Sequence, residues 1–508
     1  MNPGAQVESF RHHPLGQRFP DSPHAVCVSL PTMADVIGYE EKDPAIAQAM
    51  TSGYPRFFLP EFVRQLAMQV AGEMDGEPRD VLLLNSEKAA AELLDFLEEP
   101  AAKVEEETGF SFVHFPANPE TYKKGFSFLQ HTGCGLSSRQ AEDLLIGEGL
   151  VESPFPEDTV GEDEAEASLL RDLSEITRTA VDNILLCNSG MNAFYAAYLA
   201  TREIQRVKKR NIWIQLGWLY IDTGEILEKF LTPGEQFVRH LDVFDLDGLH
   251  ALFRENRGRI AGIVTEAPTN PLLQTPDLEA IYSLAREEGA ILIADPTSAT
   301  PTNIDLLPHS DILANSLTKY AGSEGDILAG AILLNPDSPF HEDFRDCLPH
   351  LLEPPYSRDL QRLAHEIRDY PMVIDQINRN TMALAAFLDG HPAVRKLQWA
   401  YSTESRANYQ KLARKPDAPG GLLTIELNFP VADFYDRIRI IKSPSFGTLF
   451  SMLCPFMYLA HYNLVSSEEG RRELNDLAID PDLIRIAVGT EDTEQLLAVF
   501  EEALSPQG

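Results

Sequence analysis

The segment Asp311–Gly330 reads DILANSLTKYAGSEGDILAG and places one lysine between two apolar runs. The first run, Ile312–Ala314, is typical of a short buried strand, and the second begins at Ile327. Lys319 lies in the predicted turn between them. At the end of a buried strand a lysine is partly withdrawn from water, which lowers its pKa and makes its amine nucleophilic. A surface lysine in a turn is the alternative for this segment.

The preceding segment predicts a β-α-β unit. Arg259–Glu266 is an apolar run typical of a buried strand, and Thr275 is the expected N-cap of a helix that ends at Gly289. A second strand is expected over Ala290–Ala294. Strands joined in this way are parallel with a right-handed crossover, and ligands bind at the carboxyl ends of such strands.

Asn270, Asp295 and Lys319 each follow a predicted strand, so an amide, an acid and an amine share one edge of the sheet. This set suits pyridoxal phosphate. Lys319 would form the covalent bond to the cofactor, Asp295 would pair with the pyridinium nitrogen, and Asn270 would bond the ring hydroxyl. The hydroxyls of Ser316 and Thr318 would hold the cofactor phosphate.

Several short motifs occur together in this order: Thr269-Asn270-Pro271, Asp295 with Thr297, Ser316-x-Thr318-Lys319, and Gly330. They resemble the Cys/Met-metabolism (trans-sulfuration) family of pyridoxal-phosphate enzymes, and the long N-terminal region resembles the fungal-type cystathionine γ-synthase branch. The resemblance covers residues 50–75 and 165–508. It implies an α/β fold of type I, with a mostly parallel central sheet, helices on both faces and a smaller C-terminal α+β domain. Residues 76–155 are not explained by the family pattern, and we interpret them as an inserted N-terminal α/β lobe.

The resemblance also implies a phosphate loop. Ser189, Gly190 and Met191 match the Ser-Gly-Met segment of the family, and they lie between a predicted strand and a predicted helix. Free N–H groups and the helix dipole attract anions at such a junction. Thr297 belongs to the cofactor site by the same resemblance.

Tyr220 matches the family tyrosine that stacks on the pyridine ring and assists the catalytic Lys319. The glycine that usually follows this tyrosine is Ile221 in this chain. Trp218 is an alternative for the stacking role, and a purely structural core aromatic is the alternative for Tyr220.

Two further matches concern the amino-acid substrate, which Asn270 would also contact. Arg485 corresponds to the family arginine that binds the substrate α-carboxylate, with a structural ion pair as the alternative. Ser445 corresponds to a serine that flanks the substrate. Many synthases and lyases of the family have a glutamate just before this serine, whereas this chain has Pro444.

Near the N-terminus, Tyr54 and Arg56 match a pair that reaches the cofactor phosphate of a neighbouring subunit in the family. The resemblance therefore implies a homodimer or a homotetramer. We expect four regions in the chain: an N-terminal arm that contacts the partner (1–75), an inserted α/β lobe (76–160), the cofactor domain (161–335) and a C-terminal substrate domain (336–508).

Composition excludes several other classes of protein. The chain has 508 residues and a formal net charge of −36, which argues against a nucleic-acid partner. We expect no membrane segment, since no apolar run is long enough, and no metal site, since no cysteine or histidine spacing suggests one. The five cysteines are scattered, which favours reduced thiols and a cytoplasmic protein.

Three functions fit these residues. The first is γ-replacement on an O-acylhomoserine by cysteine or another thiol, as in a cystathionine γ-synthase. The second is a lyase of the same family that acts on cystathionine or methionine. The third is a catalytically silent cofactor-binding subunit that serves as a scaffold, which the inserted lobe and Pro444 would allow.

Overall fold

The computed structural model describes residues 8–50, 58–74, 76–107 and 109–505. The predicted residues Tyr54 and Arg56 lie outside the described residues. Within the described ranges, no helix combines the length and the apolar character that crossing a bilayer requires.

The N-terminal arm packs on the rest of the chain. Val26 N–H donates to the Gly325 carbonyl, and Leu30 N–H donates to the Lys442 carbonyl, so the arm contacts both the lysine loop and the C-terminal region. Its elements are β1 (Arg18–Phe19), β2 (Cys27–Val28), α1 (Met33–Glu40) and α2 (Pro44–Ala49), with β1 and β2 antiparallel.

A separate antiparallel sheet with the strand order β3-β5-β4 lies in the region expected for the inserted lobe (76–160), and α3 from the expected arm (1–75) packs on it. We refer to this sheet and its helices as the inserted lobe. Alternate residues of β5 enter two different apolar cores, one with α4 and α5 and the other with α3 and α6. This explains why nearly the whole of β5 is buried. The elements are α3 (Glu61–Glu73), β3 (Arg79–Leu84), α4 (Glu87–Leu97), β4 (Lys103–Glu107), β5 (Phe110–Pro116), α5 (Pro119–Thr132) and α6 (Ser138–Gly147).

The central sheet has seven strands in the order β6-β12-β11-β10-β9-β7-β8. It is parallel except for β12, which pairs antiparallel with β11 and β6, and helices cover both faces. This confirms the expected α/β fold. Its elements are α7 (Glu162–Thr177), β6 (Ile184–Cys187), α8 (Gly190–Val207), β7 (Ile212–Leu216), α9 (Ile221–Lys229), β8 (Gln236–His240), α10 (Leu246–Glu255), β9 (Ile260–Glu266), α11 (Leu278–Glu288), β10 (Ile291–Asp295), β11 (Ile312–Ser316) and β12 (Gly330–Leu334).

The predicted N-cap of α11 was wrong. Asp277, two residues after Thr275, caps the helix by accepting the Ala280 N–H. Thr275 is buried, and its own N–H donates to the Ser405 hydroxyl at 3.1 Å, so the C-terminal region holds it in a different role. The other end follows the prediction, since Gly289 adopts the left-handed conformation with φ of 69°.

The C-terminal region contains a five-stranded sheet with the order β13-β14-β17-β16-β15. The 3₁₀ turn Ile367–Asp369 separates α13 from α14, and Pro371 is accommodated in the first turn of α14. The elements are α12 (His341–Leu351), α13 (Ser357–Glu366), α14 (Tyr370–Leu388), β13 (Val394–Gln398), α15 (Arg406–Leu412), β14 (Leu422–Leu427), α16 (Val431–Tyr435), β15 (Ile441–Lys442), β16 (Met452–Pro455), α17 (Phe456–Ala460), α18 (Tyr462–Val465), α19 (Glu468–Asp476), β17 (Ile484–Ala487) and α20 (Thr493–Leu504).

A buried arginine of the lobe holds the lobe against the core. Arg139 in α6 is 1% exposed and forms ion pairs with Glu157 and with Asp359, at 3.1 Å to the latter. It also donates at 3.0 Å to the carbonyl of Asp326, which lies in the loop between Lys319 and β12. The buried charge of Arg139 is therefore compensated by carboxylates that are also withdrawn from water.

Replacing Arg139 by methionine should lower the free energy of unfolding by about 3–5 kcal/mol, because buried carboxylates lose their partner. Arg239→Met is the matched control, since Arg239 and its partner Glu228 are both about half exposed. That control should change stability by less than about 1 kcal/mol. Urea unfolding measures both values, and equal effects of the two substitutions would contradict the prediction.

Candidate active site

One cavity of about 910 Å³ lies at the carboxyl ends of β9, β10 and β11. The N-terminus of α8 and the loop after β11 close one side, and residues of the C-terminal region close the other. Ten of the residues predicted for the site line this cavity: Gly190, Met191, Tyr220, Asn270, Asp295, Thr297, Ser316, Lys319, Ser445 and Arg485.

The Lys319 amine is held in a largely apolar setting. Its Nζ donates to Ser445 Oγ at 2.8 Å and lies 5.0 Å from the centre of the Phe446 ring. Burial lowers the pKa of Lys319 to about 7, and the positive charge of Arg485 acts in the same direction. A large fraction of the amine is therefore neutral near pH 7, and the neutral amine is the nucleophilic form.

Asp295 and Glu266 end neighbouring parallel strands at the same register position, and both face the cavity. Burial raises the pKa of Asp295 to about 6, while Thr297 stabilises its charge by donating its N–H at 2.7 Å. Burial also raises the pKa of Glu266 well above its ordinary value, and the charge of Asp295 adds to the effect. We infer that Glu266 keeps its proton, which leaves Asp295 to ionise beside a cation such as a pyridinium.

The N-terminus of α8 provides an anion site. A Cβ on Gly190 would lie 2.6 Å from the Cβ of Ser316, so only glycine allows this close approach. The buried Ser316 Oγ has no hydrogen-bond partner among the residues that the structure describes. An unpaired hydroxyl facing a helix N-terminus fits a phosphate group, as pyridoxal phosphate requires.

Two of the predicted phosphate ligands do not line the cavity. Ser189 caps α8 by accepting the Asn192 N–H, and its hydroxyl donates to the Gly133 carbonyl at 3.0 Å. The Thr318 hydroxyl accepts the N–H of Ala329 at 3.1 Å, where it fixes the loop that leads to β12. Both hydroxyls therefore shape the cavity walls in this structure, and direct contact with a phosphate stays a prediction.

Arg485 is 3% exposed, and its guanidinium lies about 5 Å from the centres of the Phe446 and Phe456 rings. It donates to Asn270 Oδ1 at 3.2 Å and to the Ser445 carbonyl at 3.1 Å. These acceptors are neutral, and within the described part of the chain Arg485 Nε has no partner. A buried arginine with a free donor is suited to an anionic ligand, such as a carboxylate.

The aromatic residues at the cavity have different positions. Tyr220 lines it and is the N-cap residue of α9, and its N–H donates to Glu266. Trp218, the alternative for the stacking role, packs edge-on against His461 in the C-terminal core instead.

Glu266 and Phe456 are two of the cavity residues that the sequence analysis missed. Glu266 ends a predicted strand as Asp295 does, so the same reasoning could have found it. Phe456 begins a short helix far away in the chain, and no local signal marks it. Within the described residues, no group of three or more histidine, cysteine or acidic side chains is placed to hold a metal ion.

A buried lysine, an acid at the next strand end and a helix N-terminus around one cavity define a pyridoxal-phosphate enzyme of fold type I. Residues 165–505 match the family described as Cys/Met metabolism PLP-dependent enzyme. The chain belongs to this family, which confirms the predicted family, its cofactor and its enzymatic nature.

Two curated relatives cover almost the whole chain. An L-2-amino-4-chloropent-4-enoate dechlorinase/desaturase of Streptantibioticus cattleyicolor is 40% identical, over 96% of this chain and 98% of the relative. A cystathionine γ-synthase of Neurospora crassa is 27% identical, over 96% of this chain and 98% of the relative.

The fold also matches solved structures. A cystathionine γ-synthase of Xanthomonas oryzae pv. oryzae superposes with a TM-score of 0.56 at 20% identity. The match covers 66% of this chain and 85% of that structure.

The lowered pKa of Lys319 predicts the pH dependence of cofactor attachment to the apoprotein. The rate should rise as the pH increases through about 7, because the amine loses its proton there. The measurement is the rate of covalent incorporation of pyridoxal phosphate, trapped by borohydride reduction and quantified by mass spectrometry.

Lys319→Met should abolish this incorporation. Lys442→Met is a matched control, because Lys442 is also buried but donates to the Pro31 carbonyl at 2.7 Å, away from the cavity. A rate that rises only above pH 9, or incorporation into the Lys319 variant, would refute the prediction.

Glu266 should matter as a neutral acceptor and not as a charge. Its carboxyl accepts the backbone N–H groups of Tyr220 and Asn270. Glu266→Gln retains an acceptor oxygen and should bind pyridoxal phosphate as the parent does. Glu266→Ala leaves two buried N–H groups unpaired and should weaken binding at least about tenfold. Fluorescence titration measures both affinities, and a larger loss in the glutamine variant would be inconsistent with this role.

Proposed function

We propose that this enzyme removes a leaving group from the γ-carbon of an amino acid whose side chain is uncharged. The observation that carries this proposal is the apolar wall of the cavity beyond Lys319. Pro444, Phe446, Phe456, Leu459 and Ala460 form this wall.

The charged residues of the cavity support elimination over replacement by a second amino acid. Among the described residues that line it, four side chains carry a carboxyl, amine or guanidinium group: Glu266, Asp295, Lys319 and Arg485. We assign Asp295 to the pyridinium nitrogen, Arg485 to the substrate carboxylate and Lys319 to proton transfer. The neutral Glu266 fixes Tyr220. No charged group of this set then remains for the ammonium and carboxylate of an incoming cysteine.

The Streptantibioticus relative gives the substrate class a concrete form. The compound in its name carries chlorine on carbon 4, which is the γ-carbon, and its side chain is uncharged. Loss of hydrogen chloride from such a compound creates one additional carbon–carbon π bond and needs no oxidant. We propose that this chain acts on a γ-halogenated, unsaturated amino acid of the same type.

The residues of the cavity have different roles in the proposed reaction. Pyridoxal phosphate supplies the electron sink that makes the α-proton acidic. The Lys319 amine takes the α-proton, passes it on before it takes a β-proton, and later returns a proton to the α-carbon, so that the substrate loses one proton in total. Tyr220 lies beside it as an assisting group. Arg485 holds the substrate carboxylate, and the halide leaves from the γ-carbon with its bonding electrons. Phe446 and Phe456 keep water away from the reacting carbons.

A second candidate is γ-replacement on an O-acylhomoserine by cysteine or another thiol. The Neurospora relative and the match of Ser445 favour it. A lyase that acts on cystathionine or methionine is a further alternative. It would also catalyse an elimination, but the leaving group would not be a halide. Pro444 favours the halide reaction over both, because the glutamate common at this position would offer a charge for a polar substrate.

Assembly and location are also proposals. We propose a homodimer or homotetramer in which Tyr54 and Arg56 reach the cofactor phosphate of the neighbouring subunit. All five cysteines are free thiols, four of them buried, which supports a reducing compartment such as the cytoplasm.

Incubation of the holoenzyme with L-2-amino-4-chloropent-4-enoate, without any thiol, should release chloride, measured by ion chromatography. Lys319→Ala should release none. Faster formation of cystathionine from an O-acylhomoserine and cysteine would favour the second candidate and contradict our proposal.

Pro444→Glu tests the apolar wall directly. It should lower kcat/KM for the chlorinated substrate at least about tenfold, because a buried carboxylate beside an apolar side chain is costly. Met372→Glu, on an exposed part of α14, is the matched control and should leave kcat/KM unchanged. Equal kcat/KM in the two variants would show that the wall does not select the substrate.

A further inference from the structure

The inserted lobe packs along α9, the helix whose N-cap residue is Tyr220. Tyr220 and Thr223, at the start of this helix, both line the cavity. The lobe itself contributes no lining residue among those that the structure describes. Through its contact with α9, the lobe can therefore influence the position of cavity residues without contacting a ligand itself.

A buried hydrogen-bonded pair joins the lobe to the first turn of α9. His131 in α5 is 3% exposed, and its Nδ1 lies 3.0 Å from Oδ1 of Asp222, which is fully buried. Lys229 Nζ lies 3.3 Å from His131 Nε2. Because a lysine ammonium can only donate, Nε2 accepts, and Nδ1 carries the proton that Asp222 receives. Gln130 donates to the same Asp222 oxygen at 3.2 Å.

The other end of α9 is held by an aromatic cluster. Phe230, which follows the last residue of α9, stacks on Phe96 of α4 with ring centres 5.2 Å apart. It also contacts Phe128 of α5 and Tyr195 of α8, at 5.9 Å and 5.5 Å between ring centres. The lobe therefore fixes α9 at both ends, which restricts sliding and rotation of the helix.

The same end of α5 supports the anion site. The Gly133 carbonyl, just after α5, accepts the Ser189 hydroxyl, and the Thr132 carbonyl accepts from Asn192 Nδ2 at 3.4 Å. Ser189 and Asn192 lie on either side of the Gly190 and Met191 backbone. One helix end of the lobe thus contacts the elements that carry Tyr220 and those that form the anion site.

We propose that the lobe is a positioning element for the cofactor site and that His131 and Asp222 are its positioning residues. The pair sets the place of Tyr220 against the cofactor ring, and the end of α5 sets the turn at Gly190. This proposal rests on the assignment of Tyr220 to the ring, which belongs to the proposed function.

Three variants of the full-length holoenzyme test the proposal. His131→Leu removes the donor to Asp222, whereas His131→Asn keeps a donor close to the Nδ1 position. His114→Leu is the matched control, because His114 is also a buried histidine of the lobe, but it pairs with Glu105 at 2.9 Å on the far strand β4. The readouts are the visible circular dichroism of bound pyridoxal phosphate, its dissociation constant and the thermal midpoint of each variant.

His131→Leu should change the visible dichroism and weaken cofactor binding about tenfold, since it removes a buried hydrogen bond that holds the first turn of α9. His131→Asn should restore both towards the parent values, and His114→Leu should leave both unchanged. An unchanged dichroism and dissociation constant in His131→Leu would overturn the proposal. So would a His114→Leu variant with equal losses, because the effect would then be general destabilisation of the lobe.

Tyr220→Ala separates this inference from the proposed function. If Tyr220→Ala alters the dichroism and His131→Leu does not, the positioning role fails while the assignment of Tyr220 stands. If Tyr220→Ala leaves the dichroism unchanged, the assignment of Tyr220 fails, and the positioning of this residue by the lobe fails with it.

Discussion

The withdrawal of the Lys319 amine from water is the constraint on which the site depends. The end of β11 places it at the edge of the sheet, and the antiparallel strand β12 returns the chain past the anion site. The Ser445 hydroxyl accepts from its Nζ, and an aromatic ring lies beside it. These surroundings disfavour the ammonium form, so the lysine is chemically ready at a pH where an exposed lysine is protonated.

The same burial sets the roles of the two acids at the neighbouring strand ends. Glu266 and Asp295 are too close and too buried for both to be charged. Burial keeps Glu266 neutral even though backbone N–H groups donate to it, which leaves the negative charge for Asp295. An apolar cavity with few charges therefore supports two distinct tasks, one structural and one electrostatic. The apolar character of the cavity also limits which side chains the substrate can carry.

The sequence predicted the parts of this site that depend on local patterns. Lys319, Asp295 and Asn270 follow strands, and the parallel topology of those strands is enough to bring them together. Glu266 obeys the same rule and was overlooked. The cap of α11 was wrong because both Thr275 and Asp277 are acceptable caps locally. Asp277 caps the helix, whereas Thr275 is buried before it and donates its N–H to the distant Ser405.

Contacts between segments that are distant in the chain could not be predicted from the sequence. The hydroxyls of Ser189 and Thr318 are occupied by Gly133 and Ala329, and neither contact leaves a mark in the local pattern. The packing of α5 against α9 is of the same kind, since it joins residues 91 positions apart. A role for the inserted lobe is therefore indicated only by the three-dimensional contact between α5 and α9.

The central claim is that Lys319 moves protons at both the α-carbon and the β-carbon of an amino acid with an uncharged side chain. Proton NMR of L-2-aminopent-4-enoate incubated with the holoenzyme in D₂O tests it most directly, because this compound has no leaving group and only exchange can occur. Deuterium should replace first the α-proton and then the β-protons. Exchange confined to the α-carbon, or none at all, would contradict it.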